Sequence, residues 1–291
     1  MTSTADIVLF TVNDHETRET QAAFEQLNPA LPNGGYRYWH YGEIGGAQVV
    51  HAECSMADLA AGKAARSAMG AWQPGLLIAV GIAWGANSEK QTIGEMLLAD
   101  PLRDTANHAD RGGKIEPRGQ PFALPDKLRQ VVKTCHRDWR NADKQTRPKL
   151  HIGEVISMPK LLDNSAERKR WIDALPEAIG GEMEGRGMAD AAVERKCDWL
   201  VLKAICDWGE DKNVNEPKKE IDQALAAKNA ARFLRFAVEH GLGAFAVDAR
   251  RHRALDSASS ATGGVTMNVT NNSGIVAGSI GTVHMGSPRN D

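Results

Sequence analysis

Two acidic residues, separated by one helix and one strand, carry the chemistry most readily proposed for this chain. Glu184 stands in Gly181-Glu182-Met183-Glu184-Gly185, and Asp207 closes Lys203-Ala204-Ile205-Cys206-Asp207. The pattern predicts a helix from Gly185 to Lys196 and an apolar strand from Trp199 to Ala204 between them. Such a helix-and-strand return places a carboxylate at each end of one connection, where strand ends meet a ligand. An ionised carboxylate accepts two hydrogen bonds at once, which suits the vicinal hydroxyls of a ribose. A carboxyl group at a strand terminus suits protonation of a departing ring nitrogen. Together they suit cleavage of a nucleoside. The plain alternatives are a Glu184 that only favours a helix N-terminus and an Asp207 that only caps the next turn.

Positioning these groups falls to alternating apolar and helical segments. Strands are expected at Ile7 to Val12, Ala47 to Glu53, Leu76 to Val80, Met96 to Ala99, Leu150 to Ile156 and Trp199 to Ile205. Helices are expected at Glu16 to Leu27, Met56 to Trp72, Pro125 to Arg137, Ala166 to Leu175, Gly185 to Lys196 and Ile221 to His240. Leu76 to Val80 is apolar throughout, as in a strand buried on both faces. The alternation implies an α/β fold with helices on both faces of a sheet. Arg103 to Gln120 is charged, contains glycines and lacks periodicity, so it is expected as a loop over the site.

The composition changes after Arg253. Residues 254–264 read as a flexible Ser/Ala/Gly linker, and 265–291 as a short β-strand tail. Val265, Met267 and Val269 alternate with polar residues, Asn271 to Gly274 supply turn chemistry, and Ile275 to Met285 suggest two more strands. Strands this short need a partner, so the tail is expected to join subunits, giving a homo-oligomer of dimers linked by tails. Arg250-Arg251-His252-Arg253 reads as an interface or linker feature.

With 291 residues, 42% of them apolar, the chain can bury a large core. A formal charge of −2 gives no global attraction to nucleic acid or anionic lipid. No stretch reads as a membrane span or a secretory signal, and four scattered cysteines form no CxxC, so a cytoplasmic location is expected. Without a Cys/His cluster, no metal or other cofactor is implied.

Glu182-Met183-Glu184 and Cys206-Asp207 resemble the ribose and purine motifs of the nucleoside phosphorylase and nucleosidase superfamily. Val80-Gly81-Ile82-Ala83-Trp84-Gly85 sits where that superfamily has its Gly-rich turn, and Ile93 to Asp100 resembles its following strand. Similarity runs from about Ile7 to about Val247 and implies a three-layer domain with a central mixed sheet over 1–253. Within the superfamily the chain is most similar to nucleosidase domains of bacterial antiviral effectors, some of which cut the glycosidic bond of ATP. A regulatory defence partner is then implied.

The resemblance gives Asp207 the role of acid to the purine. It gives Glu184 the ribose hydroxyls, with Met183 under the sugar; Glu182 either helps or is structural. Glu16, at the turn from the first strand into a helix, stands where nucleosidases carry the acid that positions water. Asp14 competes for that role, and a first-turn Glu is also simply favourable to a helix. Gly81, Ile82 and Ala83 would approach the ligand, with Trp84 either beside the sugar or in the core. Ile82 replaces the small polar residue common near phosphate, which favours hydrolysis over phosphorolysis. Leu161 and Leu162 stand where the family has an aromatic-plus-aliphatic pair over the purine, so adenine is expected without aromatic stacking. Arg103, Arg111, Lys114 and Arg118 are either solvated loop charges or, by resemblance, contacts for a triphosphate. Phosphorolysis, a methylthioadenosine-type nucleosidase activity and a non-catalytic nucleotide-binding module are the alternatives.

Overall fold

Apolar runs such as Leu76-Leu77-Ile78-Ala79-Val80 and Trp199-Leu200-Val201-Leu202, each inside a ten-residue strand, form strands because both of their faces can be covered by helices. The computed structural model describes residues 4–25, 31–33, 36–55, 58–142, 147–210 and 216–262. In chain order the first half contains β1 (Ile7–Thr11), α1 (Asp14–Ala23), β2 (Leu31–Asn33), β3 (Tyr36–Ile44), β4 (Ala47–Glu53), α2 (Asp58–Trp72), β5 (Leu76–Gly85) and β6 (Met96–Asp104). Next come β7 (His108–Arg111), β8 (Lys114–Pro117), β9 (Pro121–Phe122), α3 (Asp126–Ala142), β10 (Leu150–Ser157), α4 (Ser165–Ala174) and β11 (Ala178–Glu182). The remainder is α5 (Gly185–Glu194), β12 (Asp198–Asp207), α6 (Glu216–Ala237), a wide π turn at Val238–Leu242, and α7 (Gly243–Thr262).

The main sheet runs β11-β10-β6-β12-β5-β1-β4-β3-β2, with β9 beside β6. It is mixed: β1, β5 and β12 are parallel neighbours, whereas β12 and β6 are antiparallel. Helices α1, α3 and α6 pack as one group and α2 with α5 as another, and both α5 and α6 lie on β12. The expected α/β architecture with a covered mixed sheet is therefore present. Its core runs along β1, β5 and β12, where nearly every residue is buried.

Three local expectations change. Val80 to Gly85 does not leave the sheet as a turn; it continues β5, paired with β12 through Trp84. Arg103 to Gln120 is not an unstructured loop, because β6 extends to Asp104 and β7 and β8 form a hairpin. Arg170 of α4 holds that hairpin by donating to Gly113 O (2.9 Å) and pairing with Asp110. Finally, Ala254 to Thr262 lies in α7 rather than in a flexible linker, since its alanines are compatible with a helix continuing across the expected boundary. Arg250 and Arg253 clamp that helix to the domain: Arg250 pairs with Asp6 (3.0 Å), and Arg253 donates to the Gln73 and Pro74 carbonyls. The expected β tail, 265–291, lies outside the described residues.

Candidate active site

Strand register sets up the site. Gly81 of β5 is paired with Lys203 of β12, and β1 lies on the other side of β5. With no side chain at Gly81, the sheet has a notch. An ideal Cβ there would meet Glu16 Oε1 at 1.8 Å, so only glycine lets that carboxylate cross toward Lys203. Asn13 caps α1 by accepting from the Glu16 N–H (3.0 Å), which turns the Glu16 side chain inward. Val12 N–H then donates to Glu16 Oε2 and Ile82 N–H to Glu16 Oε1, both at 2.8 Å.

Lys203 Nζ lies 3.3 Å from Glu16 Oε1 and 3.3 Å from Glu184 Oε2. Lys203 and Glu16 are 1% exposed and Glu184 is 7% exposed, so this is an ion bridge inside the protein. Burial alone would lower the Lys203 pKa, but Glu16, Glu184 and Glu182 together raise it above its ordinary value. Burial pushes Glu16 up, with Lys203 pulling it back and Glu184 adding to the rise. Lys203 was absent from the sequence-derived candidates. Its signal was a single charge inside an apolar strand buried on both faces, where lysine is retained only when paired.

Glu182 and Glu184 flank the start of α5. Glu182 Oε2 accepts from the Glu184 N–H (3.0 Å) and the Gly185 N–H (2.7 Å), satisfying helix-end donors. Asp207 is held at the end of β12: Gly209 N–H donates to its Oδ1 (2.7 Å) and the Cys206 thiol to its Oδ2 (3.2 Å).

Glu16, Glu182, Met183, Glu184 and Asp207 all line one cavity of ≈ 510 Å³. Ile82, Ala83, Trp84, Leu161 and Leu162 contribute apolar wall, Leu162 buried and Leu161 exposed. Trp84 both lines the cavity and belongs to a buried cluster with Met158 and Leu162. Gly81 sits beneath the wall as the notch for Glu16. Asp14 lies exposed at the same cavity. Met158, Asn13, His15, Lys160, Lys219, Glu220 and Gln223 complete much of the wall without having been singled out. The α6 residues among them carry no motif, and only tertiary packing brings α6 against α1. His15 Nε2 marks that junction, 2.9 Å from Glu220.

The arginines are elsewhere. Arg103 is bound to Glu154 (2.7 Å) and the Gly119 carbonyl, Arg111 pairs with Glu116 on the exposed hairpin, and none of Arg103, Arg111 and Arg118 lines the cavity. Among the described residues, Lys160 and Lys219 are the lysines that do. Among the described residues no trio of His, Cys, Asp and Glu is gathered to hold a metal ion, and the buried glutamates surround an ammonium instead.

A second, larger cleft of ≈ 980 Å³ includes Asp198 and α7 residues such as Arg253. Asp198 starts β12 and Asp207 ends it, placing the clefts about 30 Å apart at strand spacing. The smaller one holds the convergent carboxylates and is the better candidate.

The sequence profile of the phosphorylase superfamily matches residues 7–239, and the chain belongs to that superfamily. Among individual proteins, the chain is 27% identical over 188 residues to a death domain-containing ATP nucleosidase of Amphimedon queenslandica. That match covers 57% of this chain and 34% of the relative, so it spans about a third of the sponge protein's length. A 5′-methylthioadenosine/S-adenosylhomocysteine nucleosidase from Neisseria meningitidis superposes with a TM-score of 0.68 at 16% identity, covering 80% of this chain and 98% of that one. The futalosine hydrolase of Helicobacter pylori gives 0.68 at 16%, covering 80% and 97%. These likenesses show the shared fold.

Proposed function

We propose that the protein is a nucleosidase that hydrolyses the N-glycosidic bond of a purine nucleoside or nucleotide. The observation that carries this reading is one cavity holding Asp207, Glu184 and a Glu16 clamped by Lys203 and two backbone N–H groups. Asp207 serves as the acid that protonates the leaving base. Glu184 accepts from the ribose hydroxyls over Met183, and Glu16 orients the attacking water, the division of labour used by inverting glycosidases. Leu161, Leu162 and Met158 supply the apolar surface for the base.

Hydrolysis is favoured over phosphorolysis by the same geometry. The Ile82 N–H is already engaged by Glu16, and Lys203 is engaged by two carboxylates. A phosphate dianion would enter beside Glu16 and Glu184 and meet like charge. The test is a panel of nucleosides and nucleotides incubated with and without inorganic phosphate, the products being separated chromatographically. Free base formed equally in both conditions is the expected result; a requirement for phosphate, with ribose 1-phosphate as product, would replace hydrolase by phosphorylase.

ATP is the specific substrate we propose, with adenine and ribose 5′-triphosphate as products. Support comes from the named activity of the sponge relative and from the resemblance to antiviral effectors. Lys160, which pairs with Glu167 (2.8 Å), and Lys219 line the cavity and are the proposed phosphate contacts in place of the hairpin arginines. An ATP-consuming enzyme is harmful to its own cell, so a role in defence implies control through assembly or a partner. Residues 265–285 are the proposed assembly element, because their alternating apolar side chains cannot fold alone. Truncation after Thr262 is expected to lower the mass seen by light scattering; an unchanged mass would remove the tail from assembly.

A further inference from the structure

Glu16, Glu182 and Glu184 are three buried carboxylates around one ammonium, Lys203. Fully ionised, the group would set three negative charges around the single ammonium of Lys203 away from water, which a desolvated site disfavours. A proton belongs on one of the three, and their donors differ. Glu16 receives N–H donors on both oxygens as well as Lys203. Glu184 also receives Lys203. Glu182 does not: its two N–H donors both address Oε2, and Oε1 is buried without a hydrogen-bond partner. An ideal Cβ on Gly185 would stand 2.9 Å from that Oε1, so glycine preserves the space beside it.

We propose that Glu182 is neutral in the working site, with its hydrogen on Oε1, and acts as a positioning residue that leaves Glu184 to present the negative charge to the sugar hydroxyls. The functional part of this inference rests on the glycosidic-cleavage reading above. A neutral carboxyl keeps Oε2 as acceptor for the α5 N–H groups while offering a donor from Oε1. The groups around it are Ser157 of β10, Glu184 and Arg186 at the start of α5, and Lys203 of β12, with Glu16 of α1 beyond Lys203. Arg186 pairs with Asp104 of β6 (3.3 Å). Burial lifts Glu182 to about 7, Glu184 adding to the rise while Lys203 and the Ser157 hydroxyl oppose it. Ionisation above that value would place a second negative charge beside Glu184 and weaken its alignment on the sugar.

Glu182→Gln imitates the neutral form, whereas Glu182→Ala removes the acceptor for two N–H groups. At pH 6 the Gln variant is expected to release base roughly tenfold or more faster than the Ala variant, the cost of unsatisfied buried donors. The wild type is expected to lose kcat/KM as pH rises through about 7, and the Gln variant to lack that fall. Stability gives a readout independent of catalysis. A folded pKa raised above the ordinary value of 4.5 means a contribution present below that pH and lost as pH rises to about 7. The melting temperature of Glu182→Gln minus that of the wild type should therefore grow between those values and level off above them. A difference that is flat with pH, or a Gln variant as impaired as Ala at pH 6, would overturn the proposal. Wild-type protein that releases no base from any nucleotide would sink the glycosidic reading, while the melting series would still decide the proton.

Discussion

Asp207→Asn is expected to lower the rate of base release by about 100- to 10,000-fold, the usual worth of a general acid, while leaving the melting temperature within a degree or two of wild type. Asn is nearly isosteric and keeps an amide oxygen to accept from the Gly209 N–H, which holds Oδ1 at 2.7 Å in the native chain. What it lacks is an acid proton. A purine leaves poorly as an anion, so the loss falls on bond cleavage rather than on binding, and kcat should drop far more than KM rises. The Cys206 thiol, 3.2 Å from Oδ2, does not provide a replacement acid in this reading; it orients the carboxylate. Single-turnover assays with calorimetry on the same preparation make the measurement. A variant that folds normally and retains near-native turnover would remove Asp207 from the acid role.

How far the sequence could be read depended on whether a residue's task was local. Glu184 and Asp207 belong to short runs whose neighbours fix an element end, so their meeting in one cavity followed from a single helix-and-strand return. Glu16 was approachable because Asn13 and the strand before it mark a helix start. Lys203 was less legible, since its role depends on Glu16, which is remote in sequence, and on the missing side chain at Gly81. The wall from α6 was hidden for the same reason: Lys219, Glu220 and Gln223 gain meaning only when α6 packs against α1. In the Arg103 to Gln120 stretch, charge points to a loop while the paired glycines point to a turn. Gly112 and Gly113 both have positive φ, +61° and +84°, the backbone that a two-residue hairpin turn requires. That hairpin carries Arg111 away from the cavity. At the C-terminal end, small residues suggested a linker, yet alanine is as suited to a helix as to a flexible chain, and the clamps at Arg250 and Arg253 favour the helix.

Lys203→Met is expected to cost about 3–5 kcal/mol of folding stability, the penalty for removing one partner of a buried ion pair. Methionine fills much of the same volume, so the loss reports charge rather than a cavity. Without the ammonium, Glu16 and Glu184 face each other inside the protein. Burial already raises the folded pKa of Glu16, and without Lys203 to pull it back it would rise further above the unfolded value. Stability is correspondingly lost as pH increases, making the penalty smaller at pH 5 than at pH 8. Glu16→Gln alone should be milder for stability, because Lys203 keeps Glu184, but severe for turnover, because the water loses its acceptor. Asp14→Asn, at the exposed start of α1, is expected to affect turnover far less than Glu16→Gln. Combining Lys203→Met with Glu16→Gln removes both an ammonium and a carboxylate, so the double variant should recover part of the stability lost by Lys203→Met while remaining inactive. Such non-additivity is expected for residues in one buried ion network. Urea unfolding of the four proteins at two pH values decides the matter. Additive losses with no dependence on pH would mean that the bridge between Glu16 and Glu184 does not hold the charges as described, and that the water-positioning role of Glu16 needs another support.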